Sequence, residues 1–160
     1  MTKHVTIAAT LLALVLCVCT SSAWAADEVR GSVGIGVGSS TTAYGLSGKL
    51  YLDPAFAVQG VVGIRNDSIG LSVDALYEMP ALFRNEALEI AWNVGFGPGV
   101  YITDDTLGAA VAFVAGLEFN FLFIPSLPFD LVLEYRPSLF VLPGVDLDLV
   151  DFTGHIRVYF

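Results

Sequence analysis

The sequence predicts an all-β fold, an eight-stranded antiparallel up-and-down transmembrane β-barrel, on the strength of three observations. The 160-residue chain is unusually apolar, with 55% hydrophobic and 14% charged residues and a mean hydropathy of +0.71. Eight segments of roughly ten residues alternate between bulky apolar and small or polar side chains, which is the period of a β-strand. Only helices and closed barrels satisfy their own backbone polar groups inside a bilayer, and a single segment competes as a membrane helix.

That helical alternative is the apolar run Leu107–Ile124. Glu118 and Asn120 lie inside it, and each is costly in hydrocarbon. Leu117 and Phe119 alternate with them at period two, as in a strand. We therefore predict a strand for this segment.

The N-terminal segment has the pattern of a secretory signal peptide. A short basic start precedes the apolar stretch Val5–Val18, and Ala23–Ala25 supplies a small-x-small cleavage motif. We expect cleavage of residues 1–25, which leaves residues 26–160 as one transmembrane β-barrel domain.

Cysteine and charge content narrow the chemistry of the mature chain. Cys17, Cys19 and Lys3 leave with the signal peptide, so six Lys and Arg residues remain against sixteen Asp and Glu residues. Without cysteine, disulfides, thiolate metal sites and cysteine nucleophiles are excluded. The acidic balance argues against nucleic acid as a partner.

The predicted strands follow one another with turn signals between them. Each carries its bulky apolar residues on one parity and small or charged residues on the other. The small and charged set suits a narrow lumen, and the bulky set suits lipid. The predicted strands are Val29–Gly38, Tyr44–Leu52, Phe56–Arg65, Ser68–Glu78, Leu88–Val100, Leu107–Leu122, Phe129–Val141 and Val150–Phe160.

The links between these strands are short, with two exceptions. Met79–Ala87 and Ile124–Pro128 are predicted as the longer links. Pro98 and Pro137 fall inside strands, and a closed barrel has no free edge to accommodate them, so we expect bulges there. The short turn signals stand at Ser39–Thr42, Asp53–Pro54, Asn66–Asp67, Thr103–Thr106 and Pro143–Gly144.

The last ten residues, DFTGHIRVYF, alternate almost strictly and end on an aromatic side chain. Their apolar parity comprises Phe152, Ile156, Val158 and Phe160. In this terminal strand and in its eight-segment pattern, the chain resembles the small eight-stranded outer-membrane β-barrels of Gram-negative bacteria, the OmpA/OmpX transmembrane class. The resemblance implies that these four residues are an assembly signal read by the barrel-assembly machinery. It also implies a bacterial outer-membrane location with both chain ends in the periplasm, and outer-membrane lipid and lipopolysaccharide as partners of a monomer.

The inward parity collects charged residues into a predicted lumen network. Its members are Lys49, Glu118, Glu134, Arg136, His155 and Arg157. They must pair, because an unpaired buried charge costs several kcal/mol. Glu118 and Arg157, on the neighbouring strands, are the expected partners of Glu134 and Arg136. The same parity also contains Arg30, Arg65, Asp74, Glu78, Glu89 and Asp130, and the even-numbered glycines Gly34, Gly36 and Gly38 should leave space for larger side chains.

We expect an occluded lumen and a structural or interaction role, with no catalytic residue, cofactor or metal. Two alternatives on the same fold stay open, a narrow, porin-like small-solute pore and a lipid-modifying outer-membrane enzyme. Against the enzyme, His155 is the single histidine of the mature chain and has inward parity. Cation binding at the predicted outer rim is also open, because oxygen-rich clusters can hold Ca²⁺ or Mg²⁺. The rim carries Asp67, Asp104, Asp105, Asp146, Asp148 and Asp151.

Overall fold

A computed structural model of the chain describes residues 32–124 and 128–160. Within these two ranges every regular secondary-structure element is a β-strand, which confirms the all-β prediction. The predicted signal peptide 1–25, Arg30 and the start of the first predicted strand lie outside the described residues. So do residues 125–127 of the predicted link Ile124–Pro128.

The described chain forms ten strand segments that alternate with short turns. They are β1 (Val33–Ser39), β2 (Tyr44–Tyr51), β3 (Phe56–Arg65), β4 (Ser68–Arg84), β5 (Leu88–Ile102), β6 (Leu107–Phe121), β7 (Phe129–Tyr135), β8 (Ser138–Leu142), β9 (Asp146–Asp148) and β10 (Phe152–Tyr159).

The strands pair in an antiparallel ring that closes on itself. Each strand from β1 to β6 pairs with the strand that follows it in the chain. The ring is then completed by the pairs β7–β10 and β10–β1. The closing seam aligns Gly34 with Tyr159 and Gly38 with His155. β7 and β8 pair with successive parts of β6 and together form one strand of the wall. β9 pairs with β8. The fold is therefore a closed, eight-stranded, up-and-down antiparallel barrel. Its seventh strand is divided into β7 and β8, and its eighth into β9 and β10.

The bulge expected at Pro98 is wrong, whereas an extra residue does lie opposite Pro137, in the strand that faces it. Pro98 lies opposite Val111 in an unbroken alignment of β5 with β6. Pro137 separates β7 from β8, and the alignment with β6 is the same on both sides of it as far as Phe140, after which it shifts by one residue at Leu142. The carbonyl of Pro137 still accepts a hydrogen bond from the backbone N–H of Phe113 at 3.0 Å. The strand opposite is longer by one residue at this point. Its three residues Leu149–Asp151 face the two residues Arg136 and Pro137 that separate β7 from β8.

The turns confirm one sequence expectation and correct another. Asn66 and Asp67 have φ angles of 47° and 62°, as a tight two-residue hairpin turn requires. The predicted link Met79–Ala87 is mostly strand, because β4 continues to Arg84. Its alternation is lost beyond Glu78 at an irregularity between Met79 and Phe83, which is why the sequence pattern ended too early.

The side-chain parity matches the prediction along the wall. Outward residues such as Val37, Ile64 and Phe96 are exposed, whereas Lys49 and Arg157 are almost completely buried inside. This distribution is the reverse of that in a soluble domain. No helix that is both long and apolar enough to cross a membrane occurs in the two described ranges.

The barrel has two ends, which we name by the chain termini. The terminal end carries the start of β1, the end of β10 and the turns that follow β2 and β4. The distal end carries the turns that follow β1, β3, β5 and β8.

Candidate functional site

The candidate site is the lumen, where all six predicted network residues are buried. They do not form one cluster. The structure divides them between two groups of ion pairs, which we name after their arginines.

The Arg136 group is built around two carboxylates that share one guanidinium. Arg136 donates two hydrogen bonds to Asp74, both at 3.0 Å, and one to Glu134 at 2.9 Å. His155 Nε2 lies 3.1 Å from Glu134 Oε2, and its Nδ1 lies 2.9 Å from the Ser47 hydroxyl. The contact of Arg136 with both oxygens of Asp74 is the strongest ordinary arginine–carboxylate arrangement.

The Arg157 group lies around Asp130 and Glu118. Arg157 Nη2 is 3.1 Å from Asp130 Oδ2 and 4.0 Å from Glu118 Oε1. Tyr159 donates its hydroxyl to Asp130 at 2.6 Å. Lys49 forms ion pairs with Glu118 and with Glu78, the latter at 2.7 Å.

These contacts correct the expected partners of Glu134 and Arg136. Strand adjacency predicts Glu118 and Arg157 as these partners. Instead Arg136 reaches Asp74 on β4, while Glu118 belongs with Lys49 and Arg157. A long side chain in a narrow lumen can cross to another wall, so adjacency in the sheet does not determine its partner.

Gln59 joins the two groups and was not among the predicted site residues. Its amide donates to Glu134 Oε1 at 2.8 Å, and its carbonyl accepts from Arg157 Nη1 at 2.7 Å. An uncharged amide has both a donor and an acceptor, so it can connect an anion to a cation. Its inward parity on β3 was the one signal that could have identified it.

The turn after β1 folds into the distal end of the lumen. Residues 40–43 are all buried, and we call them the inward loop. The Thr41 hydroxyl lies 2.9 Å from that of Ser138, and Thr42 donates its hydroxyl to the Leu71 carbonyl at 3.2 Å. Arg65 donates to the carbonyl oxygens of Ser40 and Thr41. The sequence predicted a turn here but not its inward path.

Glycines provide the space for the inward loop. A methyl group on Gly70 would lie 2.0 Å from the Thr42 carbonyl oxygen, and one on Gly99 would lie 2.9 Å from the Thr42 side chain. The predicted role of the β1 glycines is also confirmed. A methyl group on Gly34 would meet the Tyr159 ring at 2.6 Å, and one on Gly38 would meet His155 Nδ1 at 2.1 Å.

Three of the four predicted assembly-signal residues lie on the outer face of β10, and Phe160 directly follows this strand. Phe152, Ile156 and Phe160 are exposed, Phe160 to 74%, and Val158 is half-buried. The backbone N–H of Phe160 donates to the Val33 carbonyl at 2.9 Å. The terminal residue therefore belongs to the closing seam.

The distal aspartates do not assemble into a metal site. Among residues 32–124 and 128–160, no three His, Cys, Asp or Glu side chains are grouped so that they could hold a metal ion. Asp146 and Asp148 instead accept backbone hydrogen bonds from Leu147 and Val150 at 2.9 and 3.0 Å. These contacts are the ordinary use of aspartate in turns.

No family model matches the chain, and no curated protein and no solved structure matches it. Its class is therefore defined by its own geometry, as a closed eight-stranded β-barrel. The interior of this barrel is filled by paired charges and by an inward loop.

Proposed function

We propose that the protein is an integral β-barrel of the bacterial outer membrane with an occluded lumen and a structural or interaction role. The observation that carries this proposal is the inverted distribution of side chains. Large apolar residues such as Ile64 and Phe96 are exposed around the wall, and charged residues such as Lys49 and Arg157 are buried inside. Lipid solvates such an outer surface, whereas water does not.

Aromatic side chains at the terminal end support the bilayer setting. Phe56 packs against Tyr77 with ring centroids 5.1 Å apart, and Phe121 stacks on Phe129 at 4.6 Å. These four residues belong to the outward parity of their strands. Aromatic girdles of this kind mark the membrane–water interface of outer-membrane barrels.

Side chains occupy the lumen at three levels, which supports the proposed occluded state. The inward loop fills the distal end, and the two arginine groups fill the middle. Tyr51 and Tyr159 narrow the terminal end, with their rings 6.0 Å apart. Small eight-stranded barrels have room inside for side chains and little else.

The proposed partners are outer-membrane lipid and lipopolysaccharide, with the barrel-assembly machinery acting during biogenesis. The chain is proposed to work as a monomer, without a cofactor and without nucleic acid. The lipid partner follows from the apolar wall, and the exclusion of nucleic acid follows from the acidic composition. Lipopolysaccharide, the assembly machinery and the monomeric state are what the resemblance to the small outer-membrane barrels implies.

We expect the refolded protein to show no steady conductance in planar lipid bilayers. The paired charges and the inward loop occupy the lumen through which water would have to pass. Heat-modifiable migration on a gel serves as the control that the barrel is folded in the same sample. A reproducible open channel from that sample would replace the occluded state with the small-solute pore.

Deleting Phe160 should lower assembly into the outer membrane while leaving export intact. Its backbone bond to Val33 places it at the seam where the first and last strands meet, and its aromatic ring is exposed there. Fractionation of cells at native expression levels measures the effect. Val145→Ser is the matched control, because Val145 is a similarly exposed apolar residue but lies in the turn after β8, outside the last strand. Equal assembly of both variants would show that the terminal aromatic is not an assembly signal.

The enzyme alternative has one observation in its favour. The Ser47 hydroxyl is hydrogen-bonded to His155 Nδ1, and His155 Nε2 lies 3.1 Å from a Glu134 carboxylate oxygen, which is the order nucleophile, base and acid. All three are buried, however, and Glu134 also binds Arg136, Gln59 and Thr153. This geometry suits a fixed ion network better than turnover. Covalent labelling of Ser47 by a serine-hydrolase probe would decide for the enzyme.

A further inference from the structure

The β4–β5 hairpin extends beyond its neighbour at the terminal end. The alignment of β3 with β4 ends where Phe56 meets Tyr77, and Glu78 makes one more backbone bond, to Ala55. β4 nevertheless continues to Arg84. Residues 80–87 are all exposed, so the tip of this hairpin stands clear of the barrel.

The projecting part of β4 is apolar. Met79, Pro80, Ala81, Leu82 and Phe83 form an uninterrupted run before the polar turn begins. Leu82 is 65% exposed and Phe83 is 48% exposed. Such a cluster is costly in water and marks a surface that is covered by something else.

The first residues after β6 extend the same surface. The Leu122 N–H donates to the Ala87 carbonyl at 2.8 Å, which brings the end of β6 beside the hairpin turn. Phe123 and Ile124 follow, and Phe123 is 56% exposed. We call Leu82, Phe83, Phe123 and Ile124 the terminal-end patch.

The patch is continuous with the proposed lipid-facing wall. Phe83 lies opposite Ile90 in the β4–β5 alignment, and Met79 lies opposite Trp92. Ile90 and Trp92 belong to the outward parity of β5. Phe123 also packs edge-on against Phe121 and Phe129, with ring centroids 6.0 and 6.1 Å away. The patch therefore prolongs the aromatic cluster at the membrane interface.

A polar fringe borders the patch where the hairpin turns. Arg84 and Glu86 are exposed, and Arg84 lies 3.3 Å from Glu89. An apolar surface with a basic residue at its edge fits the boundary between acyl chains and phosphate headgroups. The geometry is less suited to strand addition by a protein partner. Between Met79 and Phe83, β4 has two more residues than the paired stretch of β5, and Pro80 has no N–H to donate; both features disrupt a free edge.

We propose that the terminal-end patch is a membrane-surface anchor that lies in the headgroup–acyl boundary of the adjacent leaflet. Leu82 and Phe83 enter the acyl region, and Arg84 faces lipid phosphate. This inference rests on the proposed bilayer location of the barrel. The occupant of the patch is lipid, and a protein partner is the competing outcome.

Tryptophan quenching by brominated lipid tests the anchor and the barrel location separately. The chain has two tryptophans, Trp24 and Trp92. The full chain is refolded into vesicles of dioleoylphosphatidylcholine, or into vesicles of the same lipid carrying bromine on the acyl-chain carbons closest to the headgroup. With Trp24→Phe alone, Trp92 reports on the wall. With Trp24→Phe, Trp92→Phe and Leu82→Trp, the emission reports on the patch.

Glu86→Trp in the same tryptophan-free background is the matched control at the polar turn. We expect the brominated lipid to quench the wall reporter and the Leu82→Trp variant and to leave the Glu86→Trp variant bright. A bright Leu82→Trp variant beside a quenched wall reporter would overturn the anchor and leave the proposed function intact. Equal quenching of the two hairpin variants would overturn it too, because the hairpin would then be immersed. A bright wall reporter would mean that the barrel itself is not in lipid.

Discussion

Replacing Arg136 with leucine should lower the free energy of unfolding of the barrel by about 3–5 kcal/mol, the usual cost of removing one partner from a buried ion pair. The guanidinium is buried and holds Asp74 by two hydrogen bonds and Glu134 by one. Leucine leaves both carboxylates without that cation. Urea titration of the refolded barrel in lipid vesicles, followed by Trp92 fluorescence in a Trp24→Phe background, measures the change.

A double-mutant cycle identifies the partner that matters. Asp74→Asn combined with Arg136→Gln should cost less than the sum of the two single changes, because the second change removes a charge that the first has stranded. Glu134→Gln should couple to Arg136→Gln in the same sense. Arg84→Gln is the control, since half-exposed ion pairs contribute about 1 kcal/mol or less and the Arg84 side chain is 46% exposed. Strict additivity would show that these lumen contacts carry no coupling energy.

Gly70→Ala should lower the free energy of unfolding by about 1–3 kcal/mol, the usual cost of overpacking, and should displace the inward loop. The added methyl group would stand 2.0 Å from the Thr42 carbonyl oxygen, a backbone atom that cannot rotate away. Urea titration measures the stability. Reaction of Thr41→Cys with a water-soluble maleimide, in a Cys17→Ser and Cys19→Ser background, measures exposure of the loop.

Gly144→Ala is the matched control for this change, because a methyl group there meets nothing within 4 Å. The introduced cysteine should stay shielded in the control and react in the Gly70→Ala variant. If it reacts equally in both variants, Gly70 does not hold the loop in place.

The sequence predicted the wall of the barrel well because a strand encodes its two faces by alternation. β3 spans the predicted Phe56–Arg65, and the inward positions of Lys49 and Arg157 follow from parity alone. Where alternation fails, the prediction failed as well. The run Met79–Phe83 is apolar on both parities, so the continuation of β4 could not be distinguished from a loop.

The lumen contacts depend on distances that strand periodicity does not contain. Alternation shows that Arg136 and Asp74 point inward, but their contact arises only after the sheet has closed. Gln59 carries no charge, so a search for charge pairs passes over it. The inward loop consists of serine, threonine and alanine, a composition that is equally common in exposed turns.

The closing seam has a consequence for the order in which the protein folds. It joins Gly34 to Tyr159, so the wall is complete only when strands from opposite ends of the chain meet. Contacts between such distant residues form slowly compared with local hairpins. In a half-open sheet within lipid, Lys49, Glu118 and Arg157 would face hydrocarbon, which strongly disfavours exposed charge. Ring closure, ion pairing and entry of the loop are therefore expected as one late cooperative event, reached along a route that shields the inner face from the acyl chains.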